Sequence, residues 1–160
     1  MHRNFLLGAV LGLTVVGSIH AVPNPTPGDP RQIEVLKLDE ISGQDLVRAT
    51  IERLSKENKR QYLRELVQAG VALAKQKDSP LGYNAAYILL HLCDDLYDAQ
   101  SADVLYRFLL DRAKALKSPN RQFDLRLVMM GLAMRTRQFV LAERLGKEIL
   151  ETNTGVDEIE

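Results

Sequence analysis

The chain has 160 residues, of which 46% are hydrophobic, and its 21 Lys+Arg balance its 21 Asp+Glu. A neutral balance excludes a general nucleic-acid binder, which carries a basic excess, and the apolar share is enough for a real core in one ordinary domain. Cys93 is the only cysteine, so no intramolecular disulfide exists and the domain must hold together by packing. Set among Ile88, Leu89, Leu90 and Leu92, Cys93 is expected to be a small buried hydrophobe.

Residues 1–21 read as a secretory signal peptide. His2 and Arg3 give a short positive start, Phe5 to Val16 form an apolar run, Gly17 and Ser18 break it, and Ala21 supplies the small residue before a cleavage point. The run is shorter than the roughly 20 residues of a bilayer-spanning helix, so no stable membrane span is expected once the signal is removed. No Cys follows the run, which argues against a lipid-anchored start. The expectation is an exported protein, periplasmic or secreted, beginning near Val22. Pro23, Pro25, Pro27 and Pro30 make Val22 to Arg31 an extended linker. Ile33 to Ile41 is expected to be a docking strand or an irregular lead-in, so that a leader occupies residues 22–41.

From residue 42 to 155 the pattern is helical, with a short tail at 156–160. Ser42 and Asp45 suggest a capping box, followed by Leu46, Val47, Thr50, Ile51 and Leu54 at helical spacing. Leu63, Leu66, Val67, Gly70, Val71 and Ala74 make one apolar stripe on the second helix. Ser79-Pro80 and Ser118-Pro119 each suggest an N-cap with proline at the first helical position. The helix after Ser118 is apolar nearly all round and is expected to lie buried between neighbours. Asp98 caps a fourth helix, Thr136 a sixth, and Gly155 is a plausible stop. The fold class predicted is all-α, with about three stacked antiparallel helix pairs.

The two Ser-Pro starts lie 39 residues apart, and each opens a very apolar helix followed by an amphipathic one. One helix pair cannot bury its own apolar face, so pairs stack. Met129, Met130, Ala133, Phe139 and Ala142 in the last unit fit the pattern of a tetratricopeptide-type repeat. Ala86, Leu89, Leu90, Cys93, Ala99 and Ala102 fit it in the unit before. Over about residues 80–154 the chain resembles that family. It departs from it in a period of 39 to 40 against about 34 and in unfilled Trp, Gly and Tyr positions. A HEAT-like or generic α-α repeat fits the period about as well. The resemblance implies that Ala102 and Ala142 are close-packing sites, and that the first helix of each pair lines a concave groove for a partner.

The mature chain has one His and one Cys, His91 and Cys93, which point to different faces of a helix. There is no Gly-rich phosphate loop, GxSxG or HExxH. No cofactor is implied, and an enzyme is not expected. Asp94, Asp95 and Asp98 read as a solvated turn rather than a metal or acid-base site. Lys56, Lys59, Arg60 and Arg64, interleaved with Glu57 and Glu65, read as a salt-bridged solvent face.

The candidate site is a stripe. Tyr83, Tyr87, His91 and Asp95 recur every four residues, and the corresponding positions one repeat later are Phe123, Leu127, Gly131 and Arg135. By the resemblance the stripe faces the groove, with Asp95 near Arg135. The other reading is that the tyrosines complete the core and expose only their hydroxyls. The expected function is protein or peptide binding, or scaffolding, with no nucleic-acid partner. Two rival expectations are a helical N-terminal part of a larger exported enzyme, and a small-ligand or metal-binding bundle built on the Tyr/His/Asp stripe.

Overall fold

The computed structural model describes residues 29–154, which form seven helices and no strand. The helices are α1 (Pro30–Lys37), α2 (Ile41–Arg53), α3 (Lys56–Ala74), α4 (Tyr83–Leu96), α5 (Ala99–Ala115), α6 (Pro119–Arg135) and α7 (Phe139–Thr154). The signal peptide, the Gly155 stop and the 156–160 tail lie outside the described residues.

Ile33 to Ile41, expected as a strand or irregular lead-in, is mostly helix. Pro30 takes the first helical position, where its missing N–H costs nothing. The Asp29 carboxylate accepts the Arg31 amide at 2.9 Å. α1 buries Val35, and Leu38 just after it is also buried. It packs on α3. Arg31 Nε donates to Glu65 at 2.9 Å, and the Arg31 guanidinium lies 4.5 Å from the Tyr62 ring centroid. Tyr62 donates to Glu34 at 3.3 Å. The first pair is therefore α1 with α3, not the helix of Ser42 with the one after it. α2 instead lies on α1, with Gly43 against the Lys37 backbone, where a Cβ would collide with the carbonyl.

The remaining pairs are α4 with α5 and α6 with α7; α3 also contacts α4 and α5, and α5 contacts α6. A finer period than 40 governs them. Positions 85, 105, 125 and 145 (Ala, Leu, Leu, Leu) are buried, as are 89, 109, 129 and 149 (Leu, Leu, Met, Ile) and the small residues Cys93, Ala113 and Ala133. Each helix with its turn thus occupies 20 residues. The turns repeat too: Tyr97, Lys117 and Arg137 all have left-handed backbone, with φ of 55°, 50° and 60°. In each the next amide bonds back to the small buried residue, Asp98 to Cys93 at 2.9 Å, Ser118 to Ala113 at 3.1 Å and Gln138 to Ala133 at 2.8 Å. This is the Schellman closure that usually employs glycine.

Several expected helix starts move. α2 begins at Ile41 with Glu40 in the cap position and no side-chain cap bond, so Ser42 is inside the helix. α4 begins at Tyr83, after Gly82. Ser79 Oγ accepts the Leu81 amide at 3.2 Å, a local turn that delivers the fully buried Leu81 into the core. The cap of α4 comes instead from Asp39, whose Oδ1 accepts the Ala85 amide at 3.0 Å. Glycine at 82 leaves room for this cap, because a Cβ there would displace the Asp39 carboxylate. Thr136 does not start α7. It closes α6, donating from Oγ1 to the Leu132 carbonyl at 2.9 Å. Two expectations hold. Asp98 caps α5, accepting from the Ser101 amide at 3.0 Å, and Pro119 opens α6, although Ser118 makes no cap bond.

Candidate partner-binding surface on α4 and α6

α4 buries Ala85, Ala86, Leu89, Leu90 and Cys93 on one side. The four-residue stripe therefore falls beside this face, not within it. Tyr83 and Tyr87 are half-buried, His91 and Asp95 exposed. The tyrosine rings stack with centroids 6.3 Å apart and planes at 11°, and His91 meets Tyr87 edge-on at 4.8 Å. This continuous aromatic ladder is a product of spacing alone, because residues four apart lie one turn above each other. Burial pushes the Tyr83 hydroxyl up from its ordinary pKa, and the nearby Arg121 opposes the shift.

α6 lies alongside in the same direction. Near its start, Arg121 sits 4.6 Å from the centroid of the Tyr83 ring. At its end, Arg135 holds Asp94 through two bonds, Nε to Oδ1 at 2.7 Å and a shorter one from the terminal nitrogen to Oδ2. This bond to Asp94 is the main cause raising the Arg135 pKa, with Asp95 a minor contributor. The expected Asp95–Arg135 pairing is thus corrected: Asp94 is the partner, because it is the half-buried carboxylate on the side facing α6, while Asp95 points to solvent. Phe123 is half-buried, Leu127 is 39% exposed and Gly131 is half-buried. The helix expected to be apolar and buried all round thus keeps an open side carrying Leu127 and Met134. A Cβ at Gly131 would meet only the Arg135 terminal nitrogen, at 3.6 Å, so the surface is notched there.

The structure thus brings Tyr83, Tyr87 and His91 together on α4, sets Arg121 of α6 on the Tyr83 ring, and ties α6 to α4 beyond the ladder through Asp94. Sequence reasoning missed Arg121 as a member. Its signal was a cation within the first turn of α6, at the level where Tyr83 opens α4. Two depressions lie elsewhere. One of about 500 Å³ follows the α6–α7 turn, lined by Arg137, Phe139, Val140 and Arg144. One of about 630 Å³ lies between the end of α3 and α5, lined by Lys75, Lys77, Arg107 and Phe108 among others. Neither contains a residue of the stripe. Cys93 is fully buried, and desolvation drives its thiol pKa far up, so it is a packing residue. Among the described residues no three His, Cys, Asp or Glu side chains are grouped to hold a metal ion, and no helix is long and apolar enough to cross a membrane.

The basic stretch at the start of α3 also departs from expectation. Glu65 is taken by Arg31 from α1 and by Gln61 at 3.0 Å. Lys56, Lys59, Arg60 and Arg64 form no ion pair with any described residue, so the face is solvated but not salt-bridged. Compared with protein families, with curated proteins and with solved structures, the chain matches none of them.

Proposed function

We propose that this is an exported tetratricopeptide-like helical protein that binds a protein or peptide partner on the α4–α6 face. The observation that carries the reading is the aromatic ladder Tyr83–Tyr87–His91, open to solvent along one edge, with its Tyr83 end under Arg121 of α6 and with α4 held to α6 just past His91 by the Arg135–Asp94 pair. Aromatic and Arg side chains held rigid before contact are the types that anchor interfaces, since little side-chain freedom remains to be lost on binding. Leu127 and the notch at Gly131 add apolar contact and room between the two tethers. The rigid stack of pairs supports the face from behind through Leu89, Leu90, Leu125 and Met129. Export rests on the sequence of residues 1–21.

The experiment is affinity capture by the exported form, with thermal melts run on the same variants. Anchors in a binding patch cost about 2 kcal/mol or more of affinity on truncation, whereas exposed positions change stability by less than about 0.5 kcal/mol. His91→Ala and Leu127→Ala are therefore expected to weaken capture with little change in melting. Unaltered capture in both, together with a strongly lowered melt for Tyr87→Ala, would make the ladder core packing and end the reading.

A further inference from the structure

We propose that the corner between α2 and α3 is a docking surface for an anionic phospholipid bilayer. Residues 48–64 carry six cations, Arg48, Arg53, Lys56, Lys59, Arg60 and Arg64, and two anions, Glu52 and Glu57. The corner is therefore at +4 in a chain whose net charge is zero, which leaves −4 for the rest. All six cations are exposed, and none of their side chains makes a hydrogen bond or ion pair with a described residue. Several surface cations elsewhere are paired, Arg107 with Asp103, Arg126 with Glu148, Arg135 with Asp94 and Lys147 with Glu143, and what sets the corner apart is the clustering of six cations within 17 residues. Segregated, unpaired charge of one sign projects a field that draws a polyanion.

The same corner selects a bilayer over a nucleic acid. α2 packs on α1 and leaves its outer surface uncovered. That surface holds Ile41, 78% exposed, and Leu46, 53% exposed. Ile41 lies on the same face as Arg48, and Leu46 on the same face as Arg53, seven residues apart in each case. On α1, Ile33 and Leu36 are exposed as well. Phosphate backbones offer nothing to these side chains, whereas the headgroup–acyl boundary takes apolar side chains and cations together.

The test is co-sedimentation with vesicles of phosphatidylcholine alone and of phosphatidylcholine–phosphatidylglycerol in a two-to-one mixture. It uses the chain from Val22 onward, which retains every described residue and omits an apolar run that would bind any bilayer. Binding to the anionic vesicles only, weakening with salt, is expected. The triple variant Lys56→Gln, Lys59→Gln, Arg60→Gln should lose roughly fivefold per cation, on the order of 100-fold in all. Leu46→Ser should lose on the order of tenfold with the charges intact. Equal binding to both vesicle types, or no loss in the triple variant, overturns the proposal. So does displacement of bound protein from vesicles by duplex DNA at equal phosphate concentration, which would reassign the corner to nucleic acid.

Discussion

The stretch from α4 to α7 and the stretch from α1 to α3 are held together by different means. In the first, one 20-residue unit recurs with the same apolar positions buried, and the same left-handed turn closes α4, α5 and α6. In the second there is no such recurrence. α1 is joined to α3 by the Arg31–Glu65–Tyr62–Glu34 cluster, and the α1–α2 loop reaches across to α4 through Asp39. Periodic packing needs only neighbours in sequence, whereas the irregular part depends on single polar contacts between residues 28 to 46 positions apart. The first kind of stability should therefore respond to volume, the second to individual hydrogen bonds and to pH.

The largest effect belongs to the periodic core. Leu109→Ala is expected to cost about 2–5 kcal/mol, as a fully buried leucine does. Leu150→Ala, on the 67% exposed outer face of α7, should stay within about 0.5 kcal/mol. Chemical denaturation of both variants checks the pair, and a similar loss in both would mean that the outer face of α7 is covered in solution. Next comes overpacking. Ala102 is fully buried and Ala142 is 5% exposed, so Ala102→Leu and Ala142→Leu should each lose about 1–3 kcal/mol.

Smaller effects test the irregular part against the turns. Asp39→Ala removes the cap of α4 and should cost about 1 kcal/mol. Lys117→Gly should raise stability by roughly 1 kcal/mol, because glycine adopts the left-handed conformation without a Cβ penalty. A loss at Lys117→Gly would show that the side chain contributes more than the backbone costs. The smallest effect is electrostatic. The Glu65 carboxyl lies below its ordinary value of 4.5, first through the bond from Gln61 and then through that from Arg31. A depressed carboxyl stabilises the fold above its unfolded pKa and loses that contribution as pH falls through the folded one. Stability should thus decline on acidification below about pH 4.5, and Glu65→Gln should flatten the slope there.

The legible parts of the fold are those in which side-chain volume speaks for itself. The apolar stripe of α3, the Asp98 cap, the Pro119 start and the buried Cys93 were all readable, because period and capping chemistry are local. Four helix starts were not. Asp39 caps a helix that begins 44 residues later, and no local motif carries that information. Pro30 read as linker because three prolines precede it, although the same residue suits a first helical turn. At the candidate surface, the stripe followed from spacing, but the choice of Asp94 over Asp95 depends on the rotation of α4 about its axis. The missing ion pairs of α3 were hidden for a similar reason: Glu65 had a distant competitor in Arg31.

The Asp39 contact also orders events in time. Synthesis presents the α1–α2 loop well before Ala85 exists, so the acceptor waits for its donor. When α4 emerges, its first turn is completed only once the α1–α2 loop lies close enough for Asp39 to accept from Ala85. The start of α4 is thus completed by tertiary docking, not by its own residues. The helices α4 to α7 then grow by adding one nearest neighbour at a time onto a seeded edge. A chain cut between Arg53 and Tyr83 would lose this seed, so the repeating part would have to nucleate from within, more slowly and without a finished first turn.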